Sequence, residues 1–197
     1  MDNTLKSIIN NQIDYFNSRK TLNINFRIQL LKSLKKEIEL NEKEIENALN
    51  KDLGKSNGES YLTEIWFVYS EIKIALKNIK KWVKRKPIRS SLLNFPSSDF
   101  IVPEPYGNTL HISPWNYPFQ LSIAPLVGAI AAGNTVLLKP SEYSINTSII
   151  LEKILAKVFD DGFVKVVQGG PEVASKLLEF KWNYIFFTGS ITVGKIV

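Results

Sequence analysis

The chain has 197 residues, 44% hydrophobic and 22% charged, with a net charge of +6 and no cysteine. That is enough apolar material for a real core, and the balance is that of a globular chain rather than a disordered one. The missing cysteines exclude disulfides and thiolate metal sites, and no apolar run reaches the roughly 18 residues of a membrane span.

The first sixteen residues, MDNTLKSIINNQIDYF, lack the basic-then-apolar layout of a signal peptide, which favours a cytoplasmic protein. From residue 1 to 86 the pattern is helical. Ile24, Ile28, Leu31, Leu34 and Ile38 recur at steps of three and four, and Ile65, Val68, Ile72, Leu76, Ile79 and Val83 form a second stripe. Between them, Asn41 with Glu44 resembles a capping box that starts a new helix, and the glycines of residues 53–58 break the run. The charge is uneven, 18 Lys/Arg against 11 Asp/Glu in residues 1–90, and it peaks at Lys77–Arg89 around Trp82. A nucleic-acid patch and a solvated helix end are the two readings. Cations favour a helix C-terminus and Pro87 marks a stop, so the helix end is preferred and no nucleic-acid partner is expected.

Residues 87–106 hold four prolines and cannot form a long helix. Leu92–Phe95 and Asp99–Val102 are strand patterns around Pro96-Ser97-Ser98, which reads as a hairpin. Thr109–Ile112 is then a strand, followed by an apolar helix between Pro118 and Gly133 and a second strand at Thr135–Leu138. Strand, helix, strand in so few residues is a parallel βαβ unit. Ile145–Val158 repeats a helical stripe through Ile149, Leu151, Ile154, Leu155 and Val158, Phe163–Val167 is a third strand, Pro171–Leu178 a helix, and Tyr184–Phe187 a fourth strand. The fold class is α/β, a Rossmann-like doubly wound parallel sheet.

Three loops follow these strands. Asn116, between Trp115 and Tyr117, can donate hydrogen bonds into a ligand crevice, or it is a turn asparagine bonding its own backbone. Lys139 and Glu142 suit the two hydroxyls of a ribose, or Ser141 caps the next helix while Glu142 complements its dipole. Gly189–Gly194, GSITVG, opens a helix and suits a pyrophosphate, although it lacks the middle glycine of the dinucleotide fingerprint. Its plain reading is a capped strand-to-helix turn. His111 alternates with apolar neighbours on a strand and is read as structural.

PWNYP (114–118), KPSE (139–142) and FTGSITVG (187–194), in this order, resemble the aldehyde dehydrogenase superfamily. ISPWNYPFQL and LGKSNGESYLTEI are similar to its class-3-like branch. The resemblance implies an aldehyde dehydrogenase-like fold divided into an N-terminal helical segment (1–86), a hairpin oligomerisation arm (87–106) and an incomplete NAD(P)-binding region (107–197). It implies Asn116 as the oxyanion donor, Trp115 beside the nicotinamide, Lys139 and Glu142 on the adenosine ribose, and Ser190 on the phosphate. Val193 would lie by the adenine, with Gly170, Gly189 and Gly194 in the cofactor turns. The implied cofactor is NAD, with NADP open, the substrate an aldehyde, and the assembly a homodimer or larger homo-oligomer. The family's cysteine nucleophile and glutamate base find no counterpart here, so the chain reads as the N-terminal part of a longer enzyme, inactive by itself. An acyl-CoA or acyl-phosphate reductase of the same superfold, and a non-catalytic nucleotide-binding or dimerisation module, are the alternatives. No metal site is expected.

Overall fold

Apolar residues three and four apart wind most of residues 2–82 into helices, as seen in a computed structural model that describes residues 2–197. Met1, the first residue of the expected helical segment, lies outside the described residues. The helices are α1 (Asp2–Asn17), α2 (Ile24–Leu40), α3 (Glu42–Leu53), a short α4 (Asn57–Ser60) and α5 (Trp66–Trp82). A π turn at Tyr61–Ile65 joins α4 to α5. Leu31, Leu34, Ile38, Ile65, Val68, Ile72 and Ile79 are buried, and Ile24, Ile28, Leu76 and Val83 partly so. Asn41 departs from expectation. Helix α3 begins beside it, but its side chain makes no cap bond there. Its Nδ2 donates instead to the Glu37 carbonyl at 2.7 Å, satisfying one of the carbonyls left open at the end of α2.

The hairpin differs in its partners. Strand β1 (Lys86–Ile88) pairs antiparallel with β2 (Asp99–Ile101), matching Pro87 to Phe100. Leu92–Asn94 is a 3-10 turn rather than a strand, because the Ser91 hydroxyl accepts the Leu93 N–H and closes the backbone locally. Leu92, Leu93 and Phe95 stand almost fully exposed on this arm.

Four parallel strands form the main sheet: β3 (Asn108–Ile112), β4 (Thr135–Lys139), β5 (Val164–Val166) and β6 (Tyr184–Phe187), in the order β5-β4-β3-β6. Every residue of β3 and β4 is buried, as a parallel sheet covered on both faces requires. Helices α6 (Gln120–Ala132) and α7 (Ile145–Val158) pack with α2, α3 and α5 on one face, against Val136, Leu138, Val164 and Val166. On the other face, Leu5 and Ile9 of α1 join Val173 and Leu177 of α8 (Pro171–Leu178) over Leu110, Ile112 and Leu137. The alternation of Val136, Leu137 and Leu138 between faces is the pleat of the strand. Gln12 ties α1 to the sheet, donating from Nε2 to the Val136 carbonyl at 2.7 Å. On α7 Leu151, Ile154 and Leu155 are buried and Val158 partly so, as expected, but Ile149 is exposed and Ile150 takes its place in the stripe.

Helix α6 ends where the sequence places its glycine. Gly133 has φ of 99°, which non-glycine residues avoid, and a Cβ there would lie 3.1 Å from the Thr21 carbonyl oxygen. No helix among the described residues is long and apolar enough to cross a membrane.

Candidate functional site

The chain runs from β3 outward through β4 to β5, then returns past β3 to add β6 on its other side. The order therefore reverses between β3 and β6, and α/β sheets seat ligands outside the carboxyl ends of the strands at such a point. Backbone bonds bring the exits to one level: Ser113 N donates to Lys139 O (3.1 Å), Thr188 N to Ile112 O (3.1 Å) and Val167 N to Leu138 O (2.9 Å). The loops carrying Asn116, Lys139–Glu142, Gly170 and Gly189–Ser190 thus leave the same edge of the sheet.

Asn116 is exposed between two exposed aromatics, Trp115 and Tyr117. Its side-chain amide has no hydrogen-bond partner among the described residues, so it is not spent on closing its own turn. Its backbone is held firmly. Lys55 Nζ donates to the Asn116 carbonyl at 3.1 Å and to Glu64 Oε1 at 2.6 Å, and stands 4.1 Å from the centroid of the Tyr117 ring. Glu64 Oε2 accepts the N–H groups of Phe119 (2.8 Å) and Gln120 (3.1 Å), capping α6 from outside. Glu64 is fully buried. Neither Lys55 nor Glu64 is singled out by the sequence reading, although a carboxylate spaced four residues from Val68 on an apolar stripe signals a buried charge.

Lys139, only 3% exposed, places Nζ 2.6 Å from Glu142 Oε2. Burial alone would raise the Glu142 carboxyl, but the hydrogen bond and charge of Lys139, with a backbone bond, bring it below its ordinary value. A cation and a carboxylate side by side offer donors and acceptors to vicinal hydroxyls. Ser141 does not cap α7: its hydroxyl accepts the Tyr143 N–H, and α7 starts only at Ile145. The cap comes from Asp52, whose carboxylate accepts the N–H groups of Asn146 (3.1 Å) and Thr147 (2.7 Å).

Ser190 caps the four-residue helix α9 (Ile191–Gly194), its Oγ accepting the Val193 N–H at 3.3 Å. Ser190 is exposed, as are Val193 and Gly194. A Cβ on Gly189 would come within 2.3 Å of the far end of the Phe187 ring, so a larger residue there would require that ring to move. Gly170, extended before Pro171 at the start of α8, donates its N–H to Glu172 Oε1 at 3.1 Å.

His111 lies within β3 against Phe186, with ring centroids 5.5 Å apart, and its Nδ1 has no partner among the described residues. Burial pushes its pKa down to about 4. It is a neutral core residue, as its strand position suggests. The basic run at Lys77–Arg89 begins in the exposed last turns of α5, where Lys80 and Lys81 complement the helix dipole. Among the described residues no group of three His, Cys, Asp or Glu could hold a metal ion.

A family model described as the aldehyde dehydrogenase family matches residues 3–197. The chain belongs to the aldehyde dehydrogenase family. It is 45% identical over 183 residues to the 4,4'-diaponeurosporen-aldehyde dehydrogenase of Staphylococcus aureus, covering 93% of this chain and 40% of that protein. It is 50% identical over 182 residues to aldehyde dehydrogenase family 3 member B3 of Mus musculus, covering 92% of this chain and 38% of that protein. The class-3 resemblance read from PWNYP and its neighbours is thus borne out. The substrate-bound structure of Staphylococcus aureus AldH superimposes with a TM-score of 0.95 at 43% identity, over 98% of this chain and 42% of that one. A glyceraldehyde-3-phosphate dehydrogenase from Methanocaldococcus jannaschii, complexed with NADP, gives a TM-score of 0.81 at 27% identity, over 99% of this chain and 43% of that one. The chain spans about two fifths of the length of these aldehyde dehydrogenase relatives.

Proposed function

We propose that residues 1–197 are the cofactor-binding N-terminal portion of a cytoplasmic NAD(P)-dependent aldehyde dehydrogenase that oxidises an aldehyde to the carboxylic acid. The observation that carries this reading is the convergence of Asn116, the Lys139–Glu142 pair and Gly189–Ser190 on one sheet edge beside the β3/β6 reversal. The donor set fits a dinucleotide. Lys139 and Glu142 would bond the ribose hydroxyls of its adenosine half, with Val193 by the adenine. Ser190 and the turn glycines Gly170, Gly189 and Gly194 would flank the pyrophosphate, and Trp115 the nicotinamide. When bound, the nicotinamide supplies the hydride acceptor.

In this reading the rest of the protein supplies a cysteine thiolate, which adds to the aldehyde carbon and leaves a tetrahedral oxyanion. The free amide of Asn116 donates to that oxygen. Loss of the hydride gives a thioester, and water, activated by a glutamate outside this chain, releases the acid and the thiol. The net change is RCHO + NAD(P)⁺ + H₂O giving RCOOH + NAD(P)H + H⁺. The arm formed by β1 and β2, with its bare Leu92, Leu93 and Phe95, would pair subunits into a homodimer or larger homo-oligomer.

The test is aldehyde-dependent NAD(P)H formation by the complete protein, alongside the purified 197-residue chain. The expected result is turnover by the first and none by the second, since the chain has no cysteine. A complete protein that binds neither NAD nor NADP would overturn the reading.

A further inference from the structure

Resting on that reading, we propose that Lys55 and Glu64 form a positioning device for Asn116, a cross-brace that sets where its amide points. The residues concerned come from three parts of the chain. Glu64, fully buried on the π turn, distributes its two oxygens: Oε1 accepts from Lys55 Nζ at 2.6 Å, and Oε2 accepts from Phe119 N and Gln120 N at 2.8 and 3.1 Å. Lys55, 8% exposed, directs a further N–H to the Asn116 carbonyl at 3.1 Å and lays its ammonium against the Tyr117 ring. The Asn116 loop is therefore gripped at two points just after its exposed amide, at its own carbonyl and at the helix start three residues on.

A carboxylate and an ammonium are buried only when their donors and acceptors are met, and here the partners are the backbone groups of this loop. An exposed amide with no partner of its own is aimed by its backbone alone. A misplacement of about 1 Å at such a group can cost on the order of 10²-fold in rate. Lys55 and Glu64 need touch neither substrate nor cofactor to matter.

Glu64→Gln and Lys55→Met in the complete protein test this. Lys55→Met severs the tie to Asn116 while Glu64 can still cap α6, and the double variant Lys55→Met/Glu64→Gln, which strands no buried charge, serves if either single variant does not fold. The measurements are single-turnover hydride transfer, the Kd for NAD, and amide hydrogen exchange over residues 113–121. The expected result is at least a tenfold fall in the hydride-transfer rate, an NAD Kd within twofold of the parent, and faster exchange confined to that segment. Lys55→Arg, which keeps a cation in place, is expected to recover part of the rate. Folded variants that transfer hydride at the parent rate, or that exchange residues 113–121 no faster than the parent, would overturn the brace. So would a tenfold loss of NAD affinity, which would mark a general disturbance. A parent protein that oxidises no aldehyde would instead remove the enzyme reading, and this proposal with it.

Discussion

Asp52 and Thr147, ninety-five residues apart, are joined twice: one carboxylate oxygen accepts both the Thr147 backbone N–H and its hydroxyl, each at 2.7 Å. The other oxygen accepts the backbone and side-chain N–H groups of Asn146. One side chain of the N-terminal helical region thus caps a helix that packs on the parallel sheet, with its charge at the favourable end of the helix dipole. Asp52→Ala leaves two half-buried backbone donors without partners. It should destabilise the fold by about 2 kcal/mol, seen as a lower denaturant midpoint at unchanged slope. Asp52→Asn, which still accepts hydrogen bonds, should lose about half as much. A parent-like midpoint for Asp52→Ala would show that water serves the start of α7 equally well.

Asn116→Ala in the complete protein should lower kcat and kcat/KM together by about 10²–10³-fold, the loss seen when one oxyanion donor is removed. Stability should hardly change, because the amide makes no intramolecular bond to lose. The pairing of single-turnover rates with a melting curve decides the matter. A variant that melts early and reacts normally would return Asn116 to a purely structural role.

The Glu142 carboxyl, held below its ordinary value, stays ionised throughout the neutral range, so any discrimination it exerts against a 2′-phosphate should be flat from pH 7 to 9, where the phosphate is also fully ionised. Glu142→Gln removes a like-charge repulsion worth about 1 kcal/mol at contact distance in water. It should raise kcat/KM for NADP relative to NAD by about fivefold. An unchanged cofactor ratio would place the 2′-hydroxyl elsewhere.

His111 makes stability depend on pH with a definite sign. Its folded pKa, about 4, lies below the ordinary 6.5, so between these values the unfolded chain binds a proton that the folded chain refuses. Stability is fully present above about pH 6.5 and falls as pH drops toward 4, by at most about 1.4 kcal/mol per pH unit. Melting curves at pH 7.5, 6.0 and 5.0 should show the decline, and His111→Phe should flatten it. Equal slopes for the two proteins would mean that His111 finds a partner when protonated.

The contrast between these residues shows what a sequence discloses. The unit from Thr109 to Leu138 was legible because Pro118 and Gly133 punctuate it and unbroken apolar runs mark strands covered on both faces. Asn116, Lys139 and Ser190 were legible as candidates because each lies at the end of a strand or in the loop that leaves it. The hairpin partner was not, since a three-residue strand beginning at Lys86 and containing a proline carries no alternation. Asp52 and Glu64 were hidden for another reason. Each accepts backbone N–H groups far along the chain, 55 residues on in one case and 95 in the other, and no local spacing records such distant partners. Asn41 misled because the same side chain can close one helix or open the next.

The π turn at Tyr61–Ile65, apart from holding Glu64, gives this region a tolerance of length that a regular helix lacks. It accommodates one residue more than an α-helical turn would, so a single deletion there lets the segment relax to regular helix. Because the wider turn has already absorbed that residue, the segments on either side would keep nearly the same rotational register. Leu62, 64% exposed, should accept almost any polar replacement. Its removal would leave Lys55 close to Glu64 and the Asn116 carbonyl, so this position tolerates a missing residue as well as a changed one.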